Sequence, residues 1–149
     1  MHDHAQSVTV LIQSCAVLIN LCAGDSFERR DHAAMAGALP AIADAMRKHI
    51  GSPILQEMSF VALQNICFGN DSNGADRKAK AVEIGVLKDI VQAMTKHSDV
   101  DSLVEQGSST LRLLVGKDKS AKQKALDAGA NPKWLKTGGF LSRRLSKSG

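Results

Sequence analysis

The sequence predicts an all-α protein built from about three copies of one helical unit. A pattern that ends a helix occurs at residues 18–24, 63–69 and, more weakly, 111–116. A second pattern is centred on Gly37, Gly85 and Gly129, with shifts of 48 (85 − 37) and 44 (129 − 85). A period in the mid-forties built only of helical segments is typical of helical repeat proteins. The 149 residues therefore count repeats and not domains.

The first unit contains three predicted helices. Residues 7–23 carry apolar side chains at spacings of three and four, from Val8 to Leu21, and Gly24 ends the helix. A short helix follows at 27–36, and Gly37 breaks it. Residues 38–49 form the third helix, with Pro40 tolerated in its first turn.

The second and third units repeat this order. Ser52 is the predicted N-cap of a helix at 54–68, and residues 69–74 form a turn-rich loop that we expect to be mobile. Helices at 75–84, 86–97, 101–115 and 118–128 follow. Trp134 begins a last short helix, and the predicted solenoid therefore spans residues 1–137.

The C-terminal third of the chain is much more basic than the rest. Residues 1–116 hold ten basic and thirteen acidic residues, whereas residues 117–149 hold nine basic residues and only two acidic ones, Asp118 and Asp127.

Cys22 and Cys67 occupy equivalent repeat positions, which favours a packing role for both and a reducing compartment for the protein. No signal peptide or run of about 20 apolar residues is present, so we expect a cytoplasmic or nuclear protein without a membrane span.

Residues 54–66, followed by a helix, Gly85 and an apolar stripe from Leu87 to Met94, resemble an armadillo repeat. The resemblance covers roughly residues 7–130 and implies a right-handed α-solenoid, with HEAT-like repeats as the alternative. In armadillo proteins the third helix of each repeat lines a concave groove. An Asn near the end of that helix usually binds the backbone of an extended peptide.

On this resemblance the groove helices are 7–23, 53–69 and 101–115. The Asn maps to Asn20 and Asn65, and Leu113 takes its place in the third repeat. Both Asn side chains have an alternative role, which is to bond a neighbouring backbone carbonyl. The expected partner-binding residues are Gln13, Ala16, Ile19, Asn20, Glu57, Met58, Val61, Gln64, Asn65, Gln106, Ser109 and Arg112.

The groove departs from the pattern of nuclear-import receptors. Those proteins carry a Trp four residues before the Asn, and Ala16, Val61 and Ser109 stand at the corresponding positions here. The aromatic walls that hold Lys side chains are absent. The sequence therefore predicts a partner other than a basic import signal.

The function expected from these features is a non-enzymatic scaffold that binds a protein or peptide partner. No catalytic triad, phosphate loop or metal-ligand spacing is present, so we expect no catalytic residue, metal or cofactor. One alternative is a structural subunit of a larger assembly, because the first groove helix has no preceding helix pair and needs neighbouring repeats or another subunit to cover it. The other is binding of an acidic surface or nucleic acid by the basic C-terminal third.

The basic third has too few aromatic residues for stacking on bases, which favours a solvated face or an acidic protein over nucleic acid. Residues 138–149 are predicted to form a flexible basic tail. Within it, Arg143-Arg144-Leu145-Ser146 matches the pattern read by basophilic kinases, which makes Ser146 a candidate phosphorylation site.

Overall fold

The computed structural model describes residues 2–137, with side chains from Ser7 onward. This part of the chain is all-helical. The α-helices are α1 His2–Leu21, α2 Phe27–Met35, α3 Ala38–Lys48, α4 Pro53–Cys67, α5 Ser72–Glu83, α6 Val86–Lys96, α7 Asp101–Val115 and α8 Lys119–Asp127. A 3₁₀-helix, Pro132–Leu135, follows. The expected tail and Ser146 lie outside the described residues.

Helices that are three apart along the chain lie side by side. α4 packs between α1 and α7, α2 packs against α5, and α3 packs against α6. The core between them is made of small and branched side chains with one large aromatic residue, Phe60, which is fully buried. This arrangement places the three predicted groove helices in one layer.

The glycine landmarks have the same conformation in each unit. Gly37, Gly85 and Gly129 have φ angles of 89°, 91° and 100°. Each stands between the short helix and the element after it, in left-handed backbone that favours glycine. The sequence shifts of 48 and 44 therefore relate structurally equivalent positions.

Two buried arginines fix the C-terminal ends of α1 and α4. Arg30 Nε donates to the carbonyl of Cys22 at 3.2 Å, and its other nitrogens reach the carbonyls of Gly24 and Phe68. Arg77 Nε donates to the carbonyl of Ile66 at 2.7 Å. The last carbonyls of a helix have no partner within the helix and carry its negative pole. A guanidinium therefore stabilises the C-terminal end of α1 and that of α4.

Three boundaries differ from the sequence prediction. α1 begins at His2 and not at residue 7. α5 begins at Ser72 and not at residue 75, so the connection between α4 and α5 is the four residues 68–71. The reason lies in Gly74, which is inside the helix: a Cβ there would lie 2.5 Å from the Gly69 carbonyl oxygen, so this glycine permits close packing of the turn. The last short helix begins at Pro132 and not at Trp134, and it is a 3₁₀-helix.

The predicted N-cap of α4 is confirmed. The Ser52 hydroxyl accepts the amide of Leu55 at 3.3 Å, and Pro53 occupies the first turn. These residues hold the start of the central helix.

Candidate partner-binding surface

The twelve predicted binding residues lie on α1, α4 and α7, and none of them is fully buried. We call this set the groove face: Gln13, Ala16, Ile19, Asn20, Glu57, Met58, Val61, Gln64, Asn65, Gln106, Ser109 and Arg112. Buried residues such as Leu55, Leu63 and Ile66 occupy other sides of α4. The side chains of the groove face are mostly uncharged, with Glu57 and Arg112 as the charged members.

Asn65 connects α4 to α1. Its Nδ2 donates to the backbone carbonyl of Ile19 at 2.9 Å. One N–H of this nitrogen is therefore committed to the scaffold, while the amide oxygen has no hydrogen-bond partner among residues 2–137. A partner strand could use that oxygen as an acceptor for a backbone N–H and the second N–H of the nitrogen as a donor.

Gln64 makes the corresponding connection from α4 to α7. Its Nε2 donates to Thr110 Oγ1 at 2.8 Å and lies 3.2 Å from Gln106 Oε1. Thr110 in turn donates to the carbonyl of Gln106 at 2.7 Å. The structure thus brings Gln64 and Gln106 together, and their amides are oriented by each other.

Asn20 differs from Asn65 although the repeat aligns them. Asn20 is exposed, and its side chain has no hydrogen bond within residues 2–137. Asn65 reaches the carbonyl that precedes Asn20 in the neighbouring helix, whereas α1 has no such neighbour on its outer side among the described residues. Gln13 is exposed as well. Each of these two side chains therefore offers a partner both its N–H donors and its oxygen acceptor.

Arg112 and Glu57, the charged members of the groove face, are each hydrogen-bonded to a neighbour. Arg112 NH1 donates to the carbonyl of Trp134 at 3.3 Å and NH2 to Ser109 Oγ at 3.3 Å. The carboxylate of Glu57 accepts a hydrogen bond from the hydroxyl of Ser102. Both charged groups are thus held by hydrogen bonds to uncharged neighbours, and the other ten residues of the groove face carry no charge.

Two large apolar residues at the ends of α4 are exposed and are not among the predicted binding residues. Ile54 is 62% exposed and Phe68 is 57% exposed. Ile54 stands seven residues before Val61 and so lies on the same side of α4, whereas Phe68 directly follows the last residue of the helix. In the sequence, both residues read equally well as part of the core. Arg30 lies over the Phe68 ring, 5.2 Å from its centroid.

A second apolar surface covers the outer side of α1. Val10, Val17 and Leu21 are 63%, 65% and 45% exposed. A shift of 45 aligns them with Leu55, Ala62 and Ile66, all of which are fully buried in the next unit. The outer side of α1 therefore has the composition of an internal helix face.

The three cysteines are buried in the core. Cys15, Cys22 and Cys67 are free and buried. Burial raises the pKa of the Cys67 thiol to about 12. No group of three His, Cys, Asp or Glu side chains in residues 2–137 is placed to hold a metal ion.

Comparison of the chain with models of protein families, with curated proteins and with solved structures found no match. No described helix is both long and apolar enough to cross a bilayer.

Proposed function

We propose that this protein is a non-enzymatic interaction scaffold, a right-handed α-solenoid of armadillo-type repeats that binds an extended partner segment along the groove face. The observation that carries the proposal is the layer of α1, α4 and α7. Its surface combines oriented amides with exposed apolar side chains and little charge. Such a surface suits a segment that offers backbone hydrogen bonds and apolar side chains.

The hydrogen bonds that cross this layer keep the surface preformed. Asn65 and Gln64 join α4 to α1 and α7 on the two sides of the helix. A partner would therefore lose less free energy in ordering the surface when it binds. Gln13, Asn20 and the oxygen of Asn65 would bind its backbone, and Ile54, Val61 and Phe68 would contact its side chains.

A photo-crosslinking amino acid placed at Val61 tests this function. We expect it to capture a partner that the same amino acid at Gln92, exposed on α6, does not capture. The captured segment, made as a synthetic peptide, should bind the purified protein and lose affinity when Gln13 and Asn20 are both replaced by Ala. Equal capture at both positions, or a peptide whose affinity ignores these two residues, would contradict the proposal.

A structural role in a larger assembly is the second candidate, and the exposed stripe of Val10, Val17 and Leu21 favours it. Its repeat equivalents are buried by a neighbouring helix, so a helix from another subunit or further repeats would cover it in the same way. Val17→Glu should lower the mass measured by light scattering if a second copy covers the stripe. An unchanged mass would exclude self-association there.

The proposed location is a reducing compartment, cytoplasmic or nuclear. Three buried free thiols support it, since disulfides are rare in such compartments.

A further inference from the structure

Two surface clefts occupy equivalent places in successive units. The first lies between α2 and α5, and the second lies between α5, the end of α7 and the start of α8. The shifts of 48 and 44 map one onto the other. The shift of 48 from α2 to α5 aligns Asp31 with Ala79 and Met35 with Glu83. The shift of 44 from α5 to α8 aligns Asn73 with Lys117, Arg77 with Ala121 and Lys80 with Lys124.

The first cleft is closed by a carboxylate. Asp31 accepts hydrogen bonds from the guanidinium of Arg77 and, at 2.9 Å, from Asn73 Nδ2. This network joins α2 to α5, and the remaining cleft encloses about 290 Å³. Positive and negative groups are matched at this junction.

The second cleft lacks every member of that network. Ala79 stands in the place of Asp31, Ala121 in that of Arg77, and Lys117 in that of Asn73. The cleft encloses about 640 Å³, more than twice the volume of the first. α8 packs against α6 and α7 and not closely against α5.

The charges in the second cleft are unbalanced. Lys78, Lys117 and Lys124 line it, and none of them forms an ion pair within residues 2–137. The lining also holds three acidic residues. Asp71 is paired with Arg77, whereas Asp118 accepts the amides of Ser120 and Ala121 at the start of α8 and keeps its charge. Glu83 and Asp118 therefore face three ammonium groups, which leaves one positive charge uncompensated.

We propose that the cleft between α5 and α8 binds an acidic segment of a partner protein, with one carboxylate over Ala79 in the place that Asp31 occupies in the first cleft. The ammonium groups of Lys78, Lys117 and Lys124 would surround that carboxylate. The volume is far larger than one inorganic anion needs and accommodates several residues of a peptide. The lining contains no aromatic side chain on which a base could stack. This site is separate from the groove face and does not depend on the function proposed there.

Fluorescence anisotropy with a labelled peptide of alternating Glu and Ser residues tests the site on the full chain. We expect binding at about 50 mM NaCl that weakens at about 300 mM, because lysine–carboxylate contacts near the surface are screened by salt. The matching Gln–Ser peptide should not bind. Failure of the Glu peptide to bind at the lower salt concentration would overturn the proposal.

Paired variants locate the binding. Lys117→Ala with Lys124→Ala should weaken it about tenfold. Lys88→Ala with Lys96→Ala removes the same charge from exposed positions on α6 and should change the affinity less than about twofold. Equal losses in the two pairs would show a diffuse charge effect and would overturn a defined site.

A substitution that adds a carboxylate gives a second, independent test. Ala79→Glu should compete with the peptide inside the cleft and weaken binding about tenfold, whereas Ala41→Glu, exposed on α3, should have little effect. Both alanines are exposed, so neither change disturbs the core. If a single-stranded RNA binds more tightly than the Glu peptide and responds to the same variants, the cleft is a nucleic-acid site and the proposal is wrong.

Discussion

Asn65 is predicted from the sequence to bind a partner, and in the structure its side chain joins two helices. Its position after the buried Leu63 and before the buried Ile66 directs it away from the core. Yet its amide nitrogen is bound to the Ile19 carbonyl of the neighbouring helix. The alternative role that the sequence allowed, a bond to a backbone carbonyl, is therefore present in the structure.

Replacing Asn65 by Ala should lower the free energy of unfolding by about 1 kcal/mol, because one part-buried hydrogen bond between helices is lost. Asn20→Ala is the matched control. Asn20 is exposed and makes no such bond, so its stability should match that of the unchanged protein. Urea unfolding of the two variants measures the difference. An equal stability of both variants would contradict the scaffold role of Asn65.

Arg77 and Asp71 form an ion pair that should respond to pH. The hydrogen bond from Arg77 lowers the pKa of Asp71 from its ordinary value. A carboxylate whose pKa is lower in the folded protein than in the unfolded chain stabilises the fold at pH values above its unfolded pKa of about 3.9. That stabilisation is lost as the pH falls through the pKa of the folded state.

Asp71→Asn should therefore be less stable than the unchanged protein near neutral pH, and the gap should narrow as the pH falls below about 4. Urea unfolding across this pH range measures it. Asp76→Asn serves as the control, because Asp76 makes no ion pair in the described residues. A gap for Asp71→Asn that stays constant with pH would contradict the assignment.

The thiols give a chemical test at the same scale. Because Cys67 is fully buried and its thiol has a pKa of about 12, it should resist a thiol reagent at about pH 8. Cys15 and Cys22 are buried too. We expect slow labelling of the native protein and rapid labelling of three thiols in denaturant. Fast labelling of Cys67 in the native protein would be inconsistent with the packing described.

At the scale of elements, α7 approaches α6 and α4 closely at Gly107. A Cβ at this position would lie 2.5 Å from Met94 Sδ and 3.1 Å from Phe60 Cε2. Both side chains are fully buried. Close packing of these helices thus depends on the absence of a side chain.

Gly107→Ala should destabilise the protein by about 1–3 kcal/mol, although alanine favours helix more than glycine does. Gly51→Ala is a suitable control, because a Cβ there would meet nothing within 4 Å. Thermal unfolding of both variants gives the comparison. A stabilised Gly107→Ala variant would show that α7 does not pack as described.

At the scale of the whole molecule, the central helix and the first helix differ in their surroundings. α4 has neighbours on both sides, whereas α1 contacts α4 and exposes Val10, Val17 and Leu21 on its other side. Unequal burial should give unequal local stability.

Hydrogen exchange should therefore be slowest in α4 and faster in α1. In a sample shown to be monomeric, equal protection of the two helices would contradict this expectation. Protection of α1 that rises with protein concentration would instead show that a second copy covers its outer face.

The sequence by itself determined the helical class, the order of the helices and their repeat. Those features depend on signals that act within a few residues of the chain. Such signals are apolar residues spaced three and four apart, a glycine between two helices and the N-cap at Ser52. The tertiary structure decided what each surface residue contacts. Asn20 and Asn65 align in the repeat, but only Asn65 has a neighbouring helix to bind. Likewise Asp31 and Ala79 align, but only Asp31 meets an arginine across the junction. These contacts join residues more than forty positions apart, and the spacing within one helix cannot encode them.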